Sequence, residues 1–448
     1  MRIDIESLPR ECVLVDAVLA DPAAAEPSNG EIWICDGEIV EVVRGGASTA
    51  PEKVKRVGLG GLVVAPGFVD VHVHFREPGH EYKEDIESGS RAAAAGGFTG
   101  VIMMPNTEPA LDNAGLIETV LRRGREVGIC DIHCAGALTL GRAGTHLAEY
   151  HDLQRSGVVT LTDDGSPVSD SALMRRALEH AAMLGLVVTA HSEDRSLAKG
   201  GAMHEGYWST HLGVPGIPAA SEELGVARDL ILARETGAPL HVAHVSTRGA
   251  VDLLRLAKGA WGLDVTAETA PHYLELTDRE LVGYAPNLKM NPPLRPEADR
   301  QALLEAVADG TIDMIATDHA PHAEAEKDVE FERAPFGVIG LETAFAVCYT
   351  QLVASGRISL VELVRRMSLA PAQRFGLPGG KLEAAAPASF AVLDPDERWQ
   401  VRPQALRSRS RNSPFLGRTL RGRVVATIHR GRLVHQVEAA AQAAAGVA

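Results

Sequence analysis

The chain has 448 residues, 45% of them hydrophobic and 23% charged, a globular balance too large for one small core, so one large domain with a smaller companion is expected. Its formal net charge of −15 argues against a general binder of nucleic acid or anionic membrane. The five cysteines (Cys12, Cys35, Cys130, Cys134 and Cys348) are an odd number without zinc-finger spacing and read as free thiols in a reducing compartment. Met1 to Glu6 lacks the basic and apolar regions of a signal peptide, and no apolar stretch is long enough to span a bilayer, so a cytoplasmic location is expected.

In chain order, residues 11 to 64 hold short β-like runs, Cys12 to Val18, Ile32 to Cys35 and Ile39 to Val43, broken by Asp-Gly and Gly-Gly pairs. From about residue 62 to residue 320, apolar runs alternate with longer segments, the pattern of βα units on a parallel sheet. Eight runs begin near Leu62, Phe98, Asp131, Val158, Leu186, Pro239, Leu263 and Thr311. The segments between them, such as Glu84 to Ala95, Ser169 to Leu184, Ser221 to Thr236 and Arg295 to Asp309, are rich in Ala, Leu, Glu and Arg and have helix length. Eight repeats predict a closed (β/α)8 TIM-like barrel, an α/β fold. β-like runs return at Phe390 to Leu393, Arg423 to His429 and Leu433 to Val434. Neither flank is large enough alone, so the two chain ends are expected to form one small β-sandwich domain. The expected division is 1–64 and 380–448 for the two parts of that domain and 65–379 for the barrel. The tail, Glu438 to Ala448, reads as a frayed helix or disorder.

Asp70, His72 and His74 alternate at the end of the first run, and alternate positions on a strand share a face. Neutral imidazoles ligate zinc and its neighbours, and Asp70, one step deeper, is expected to orient a ligating ring. Such a string also occurs in ordinary surface and core histidines. The ends of the other runs add to it. The second run reaches Pro105-Asn106-Thr107, the fourth Thr162-Asp163-Asp164-Gly165, the fifth His191, the sixth His244, and the eighth Thr317-Asp318-His319 followed by Pro321-His322. Active sites of barrels assemble at the carboxyl ends of the strands, so these side chains should converge on one mouth. Four histidines (His72, His74, His191, His244) and two aspartates (Asp164, Asp318) exceed the demand of one tetrahedral zinc. A two-metal site needs a bridge, which a carboxylate such as Asp164 can supply.

Other polar residues read more plainly. His241 lies three residues before His244, on the opposite face by strand parity, and reads as structural, as does His319. His180, His204 and His211 have no ligand partners nearby in sequence. The arginines Arg402, Arg407, Arg409, Arg411, Arg418, Arg421 and Arg423 read as a solvated face or ion pairs with the acidic body, with a docking patch as the alternative. The charged stretch Glu324 to Arg333 is either a mobile lid that excludes water or an inert solvated loop.

From about Gly61 onward the chain resembles the bacterial-type dihydroorotases of the amidohydrolase superfamily. The resemblance rests on Asp-Val-His-Val-His-Phe-Arg-Glu-Pro-Gly (70 to 79), Met-Pro-Asn-Thr (104 to 107), Thr-Asp-Asp-Gly (162 to 165), His-Ser-Glu-Asp (191 to 194) and His-Val-Ser-Thr (244 to 247). Further pieces are Lys-Met-Asn-Pro-Pro-Leu-Arg (289 to 295), Ala-Thr-Asp-His-Ala-Pro-His (316 to 322) and Ala-Pro-Phe-Gly (334 to 337). It implies two zinc ions, one bound by His72, His74 and Asp318, the other by His191 and His244, with Asp164 bridging. Many relatives bridge with a carboxylated lysine; the Asp-Asp-Gly stretch marks a branch without one, and no lysine occupies the fourth run here. Either Asp163 or Asp164 could bridge by type, and the family's spacing to His191 favours Asp164.

The implied reaction is the reversible closure of N-carbamoyl-L-aspartate to L-dihydroorotate, a step of pyrimidine synthesis. Asp318 would take a proton from the attacking water and hand it to the departing ring nitrogen. Arg76 offers a planar fork for the substrate carboxylate, with the surface ion pair to Glu77 or Glu81 as its ordinary alternative. His74, Asn106, Asn291 and His322 would add substrate contacts, and Phe336 and Gly337 match positions where the family's backbone touches substrate. Competing readings are a hydantoin, dihydropyrimidine or allantoin amidohydrolase and, in another class, a non-catalytic scaffold for aspartate carbamoyltransferase, which would be expected to lack metal ligands. A homo-oligomer, a dimer, and docking of aspartate carbamoyltransferase are further expectations.

Overall fold

The computed structural model describes residues 8–437, so the tail read above as a frayed helix or disorder lies outside the described residues. Eight parallel strands follow one another around a barrel: Phe68–Val73, Phe98–Met103, Asp131–Gly136, Val158–Leu161, Val187–Ala190, Leu240–Val242, Val265–Thr269 and Met314–Ile315. Each falls within one of the eight apolar runs. The last strand meets the first through a parallel bridge between Val73 and His319, and His74 N donates to His319 O at 2.9 Å. Val69, Val71, Ile102, Met104, Ala135, Val187, Met314 and Ala316 fill the barrel, and Phe375 and Ala372 from the helix Ala370–Phe375 pack against them.

Helices cover the outside because their apolar faces pack on the strands and their ends carry stop signals. Ile86–Ala95 starts at Asp85, whose side chain accepts from Ser88 N in a capping box, while Ser171–Met183 starts at Asp170. Ala219–Thr236 and Glu297–Asp309 end at Gly237 and Gly310 in the left-handed conformation that glycine adopts without strain. These four helices lie within two residues of the expected segments. Fully buried side chains such as Phe68 and Phe98, whose rings meet edge-on with centroids 5.7 Å apart, each contribute roughly 1.5–3 kcal/mol.

The first apolar run does not enter the barrel whole. It splits at Gly67: Val63–Pro66 joins the small sheet and Phe68–Val73 begins the barrel. A side chain at Gly67 would put its Cβ 2.1 Å from Thr99 Oγ1, so only glycine lets the two strands meet there. The small domain is one mixed eight-stranded sheet built from both flanks. Its order is Arg432–Gln436, Thr419–His429, Phe390–Gln400, Val63–Pro66, Glu11–Leu19, Ser28–Cys35 and Glu38–Arg44, with Lys55–Gly58 also pairing to Glu11–Leu19. The sheet curls as a sandwich does. Leu14, Ile32 and Ile34 share a core with Phe390, Val392 and Ile428, and the turn at Gly37 lies against Arg430, whose carbonyl oxygen would be 2.8 Å from an added Cβ. Among the described residues all five cysteines are free, and no helix is long and apolar enough to cross a membrane.

Candidate metal centre

The six expected donors come together at the carboxyl ends of the strands, all of them buried. Asp164 stands between two pairs of imidazoles. Its Oδ2 lies 3.4 Å from His72 Nε2 and 3.5 Å from His74 Nε2, and its Oδ1 lies 3.3 Å from both His191 Nδ1 and His244 Nε2. Two three-residue donor sets therefore share one carboxylate: His72, His74 and Asp164, and Asp164, His191 and His244. Asp318 Oδ1 joins the first at 2.9 Å from His74 Nε2 and 3.6 Å from His72 Nε2. His244 and Asp318 have positive φ, +36° and +47°. A non-glycine residue held there costs of order 1–3 kcal/mol, a strain that persists where the surroundings over-determine it.

Neighbouring groups set the electrostatics. Burial alone would raise the Asp164 carboxyl, but the charge of His72 and hydrogen bonds from His191 and His244 hold it well below the usual range. For Asp318 burial is likewise outweighed, by its close contact with His74 and the charge of His72. Burial pushes His74 down, toward the neutral imidazole that a metal needs. His72 Nε2 is buried without a hydrogen-bond partner. An orphaned ring nitrogen facing two carboxylates, with two further imidazole nitrogens 2.9 Å apart on the far side of Asp164, fits a divalent cation and suits little else.

The ambiguity between the two neighbouring aspartates has a geometric answer. Asp163 turns away and accepts from the backbone N and hydroxyl of Thr139, leaving Asp164 to face the histidines. The expectation for Asp70 fails. Its carboxylate accepts from the backbone amides of His72 and Thr317 at 3.0 and 3.2 Å, not from a ring. Strand alternation is broken there: Val69 and Val71 point into the barrel, Val73 belongs to the cluster outside it, and the pairing register slips between Asp70 and Val73. The ring of His72 is held instead by Glu268, Oε1 to Nδ1 at 2.7 Å. His241 supplies no atom to the donor sets, yet parity does not separate it from them, because its Nε2 meets Glu268 Oε2 at 3.0 Å. His319 packs outside the cluster, with Nδ1 accepting from Gly340 N.

The expected substrate contacts surround the cluster. Arg76 is buried, and its only hydrogen bond among the described residues runs from Nε to Pro321 O at 3.2 Å; neither Glu77 nor Glu81 pairs with it. Burial pulls its guanidinium down to about 10. Asn106 Oδ1 accepts from His74 Nδ1 at 2.9 Å, leaving the Asn106 amide nitrogen over. Asn291 Nδ2 donates to Glu193 Oε1 at 2.9 Å, and its Oδ1 is buried without a partner. His322 Nε2 donates to Phe336 O at 2.8 Å, so its Nδ1, also buried without a hydrogen bond, is an acceptor. Two of the backbone groups of Phe336 and Gly337 are engaged inside the protein: Phe336 O by His322, and Gly337 N by Lys289 O at 2.9 Å.

Three neighbours carried no signal in the sequence reading. Glu268 lies mid-strand, and Asn412 lies in the arginine-rich stretch, where its side chain binds His322 N, Ala320 O and Gly337 O. His272 is buried near Asp318 and His244 with Nε2 unpartnered, and burial pushes it down to about 4. The stretch 324–333 is not a solvated loop. Lys327 Nζ donates to Pro286 O, Lys289 O and Pro335 O, and Phe331 is buried with Met203, Val214 and Leu281. The arginines pair with the acidic body, as in Arg418–Glu280 and Arg423–Glu397, both 2.7 Å.

A barrel whose strand ends enclose such donors is that of a metal-dependent hydrolase. Solved structures of similar shape agree. L-Hydantoinase (dihydropyrimidinase) from Arthrobacter aurescens matches with a TM-score of 0.84 and 26% identity, covering 96% of each chain. A dihydropyrimidinase from Brevibacillus agri shares the fold, with a TM-score of 0.79 at 20% identity over 95% of each chain. The enzyme is thus a cyclic amide hydrolase. A dihydro-orotase-like family model matches residues 61–250. The dihydroorotase of Pelotomaculum thermopropionicum is 49% identical over 93% of this chain and 97% of its own length, and that of Anaeromyxobacter dehalogenans 49% identical over 94% and 96%. The chain belongs to the dihydroorotase family.

Proposed function

We propose that the enzyme interconverts N-carbamoyl-L-aspartate and L-dihydroorotate at a two-zinc centre, with His72, His74 and Asp318 on one ion, His191 and His244 on the other, and Asp164 between them. The observation that carries the substrate is Arg76: a buried guanidinium beside the donor sets whose two terminal nitrogens are unused among the described residues. A planar fork in that position suits the carboxylate that dihydroorotate bears and a simple hydantoin lacks. When bound, divalent ions lower the pKa of water and polarise an amide carbonyl.

The protein's own groups do the rest. Arg76 grips the carboxylate, the amide nitrogen of Asn106 donates to it, and His322 Nδ1 accepts from a ring N–H. The Asp318 carboxylate, held ionised, takes the proton of the attacking water and delivers it to the departing ring nitrogen; ring closure runs the same transfers backwards. The division of the chain at about residues 64 and 380 separates this barrel from the small domain. Free cysteines support a cytoplasmic location, and exposed Leu224, Ile231 and Leu256 on adjacent outer helices support a homodimer. Aspartate carbamoyltransferase is the partner to test by co-elution.

The test is a chelator-stripped sample assayed on dihydroorotate, hydantoin, dihydrouracil and allantoin. Activity on dihydroorotate alone, lost on stripping and restored by zinc, is expected. Full activity in metal-free protein, or turnover of hydantoin in preference to dihydroorotate, overturns the reading.

A further inference from the structure

Behind the donor sets lies a second row of polar groups, Glu268 and His241 buried and Thr266 half-buried. Glu268 Oε1 sits 2.7 Å from His72 Nδ1, and its other oxygen 3.0 Å from His241 Nε2. His241 Nδ1 in turn lies 2.9 Å from Thr266 Oγ1. An ionised carboxylate only accepts, so both ring nitrogens facing it carry the hydrogens. The other ring nitrogen of His241, Nδ1, meets the Thr266 hydroxyl, which can donate or accept. With Nδ1 of His72 committed to Glu268, Nε2 is the nitrogen that His72 would offer a metal on the side of Asp164 and Asp318.

We propose that Thr266, His241 and Glu268 form a positioning relay that fixes the tautomer and angle of the His72 ring and so sets the affinity of its metal site. None of the three touches the donor cluster's centre; they act through His72. Two strands carry the relay: Thr266 and Glu268 alternate on Val265–Thr269, and His241 lies on neighbouring Leu240–Val242, paired with Thr266 in register. A carboxylate behind a ligating histidine also raises its basicity, and losing such a partner typically weakens metal binding about 10–100-fold. The carboxylate has a further hold, the backbone amide of His244 at 3.4 Å, so one residue steadies a histidine in each donor set.

The inference rests on the metal-centre reading above. Its test measures zinc affinity by competition with a chromogenic chelator, beside thermal unfolding of the metal-free protein and KM for dihydroorotate. Glu268→Gln keeps the shape and loses the charge, and is expected to weaken zinc about 10–100-fold. His241→Phe removes the donor while keeping an aromatic ring against Phe375, 5.3 Å away centroid to centroid; it should weaken zinc in the same direction. His241→Gln, which replaces the donating nitrogen, should restore parental affinity. Combining Glu268→Gln with His241→Phe should add little to Glu268→Gln alone, the non-additivity of groups acting in series. Unchanged zinc affinity in Glu268→Gln and His241→Phe, with only the unfolding temperature lowered, overturns the relay and leaves a packing role. Equal losses in His241→Phe and His241→Gln do the same. If Glu268→Gln fails to fold, the two His241 variants carry the comparison. A parent that binds zinc but does not turn over dihydroorotate overturns the proposed substrate and leaves the relay standing; a parent that binds no zinc overturns both.

Discussion

The chain concentrates charge in two places, the barrel mouth and the arginine-bearing segment near its end, and treats it in opposite ways. At the mouth, Asp164 and Asp318 are buried among imidazoles, with strained backbone at His244 and Asp318 and a bare nitrogen on His72. Along the segment, Arg409 pairs with Asp85, Arg418 with Glu280 and Arg421 with Asp396, mostly in contact with solvent. Charges that water can screen are left as loose pairs of little worth, whereas charges removed from water are arranged for a ligand at the expense of local strain. The contrast separates function from solubility more sharply than residue type does.

The largest effect should come from Asp318→Asn. Removing the proton acceptor is expected to lower kcat by roughly 10²–10⁴-fold, or more because the residue also contacts the donor set, with the fold retained by circular dichroism. Parental turnover would make the mouth an ordinary polar interior. Arg76→Lys comes next, because a point charge cannot reproduce the fork; a loss of about 1.5–3 kcal/mol in kcat/KM for dihydroorotate is expected, at unchanged zinc content. Loss of zinc instead would mean that Arg76 props up the cluster.

Glu342 holds the start of the arginine-bearing segment, since its carboxylate accepts from the backbone amides of Arg407 and Ser408 at 2.8 and 3.0 Å. Burial pushes it from 4.5 up to about 7. The folded state therefore holds a proton that the unfolded chain has released, and this contribution, complete below pH 4.5, is lost as pH rises through 7. Denaturant midpoints of the parent should fall relative to Glu342→Gln between pH 5 and 8, by roughly 1–3 kcal/mol in stability. A constant difference would show that the carboxyl is ionised throughout. Smallest of all, Arg421→Gln should cost less than about 1 kcal/mol and leave kinetics alone, as for an exposed pair. A larger loss in a thermal melt would promote the segment from solvated to structural.

Much of this is legible in the sequence because the fold repeats one unit. Each apolar run ended where a strand ends, so His72, Asp164, His191, His244 and Asp318 announced themselves by being polar where the run stopped. Legibility failed where that regularity did. Gly67 divides one run between two domains through a close approach to Thr99 that no local pattern records. Asp70 broke the parity argument because the strand slips register beside it. Glu268 sits inside its strand, where a charged side chain looks like an error until His72 and His241 are seen on either side. Phe331 anchors a stretch that reads as solvated because its apolar partners lie more than forty residues away in sequence, at Leu281 and beyond.

The barrel's closing seam carries a consequence for how the protein is made. His74 and Asp318 are 244 residues apart and meet only where the first strand touches the last. A nascent chain emerging from the ribosome thus carries its paired histidines early and must wait for most of its length before the partner carboxylate arrives. Premature capture of a metal by a chain that ends before Asp164 would involve two imidazoles alone, a weak and exchangeable grip. Late assembly makes tight loading a property of the finished barrel, and ties cofactor acquisition to completion of the fold.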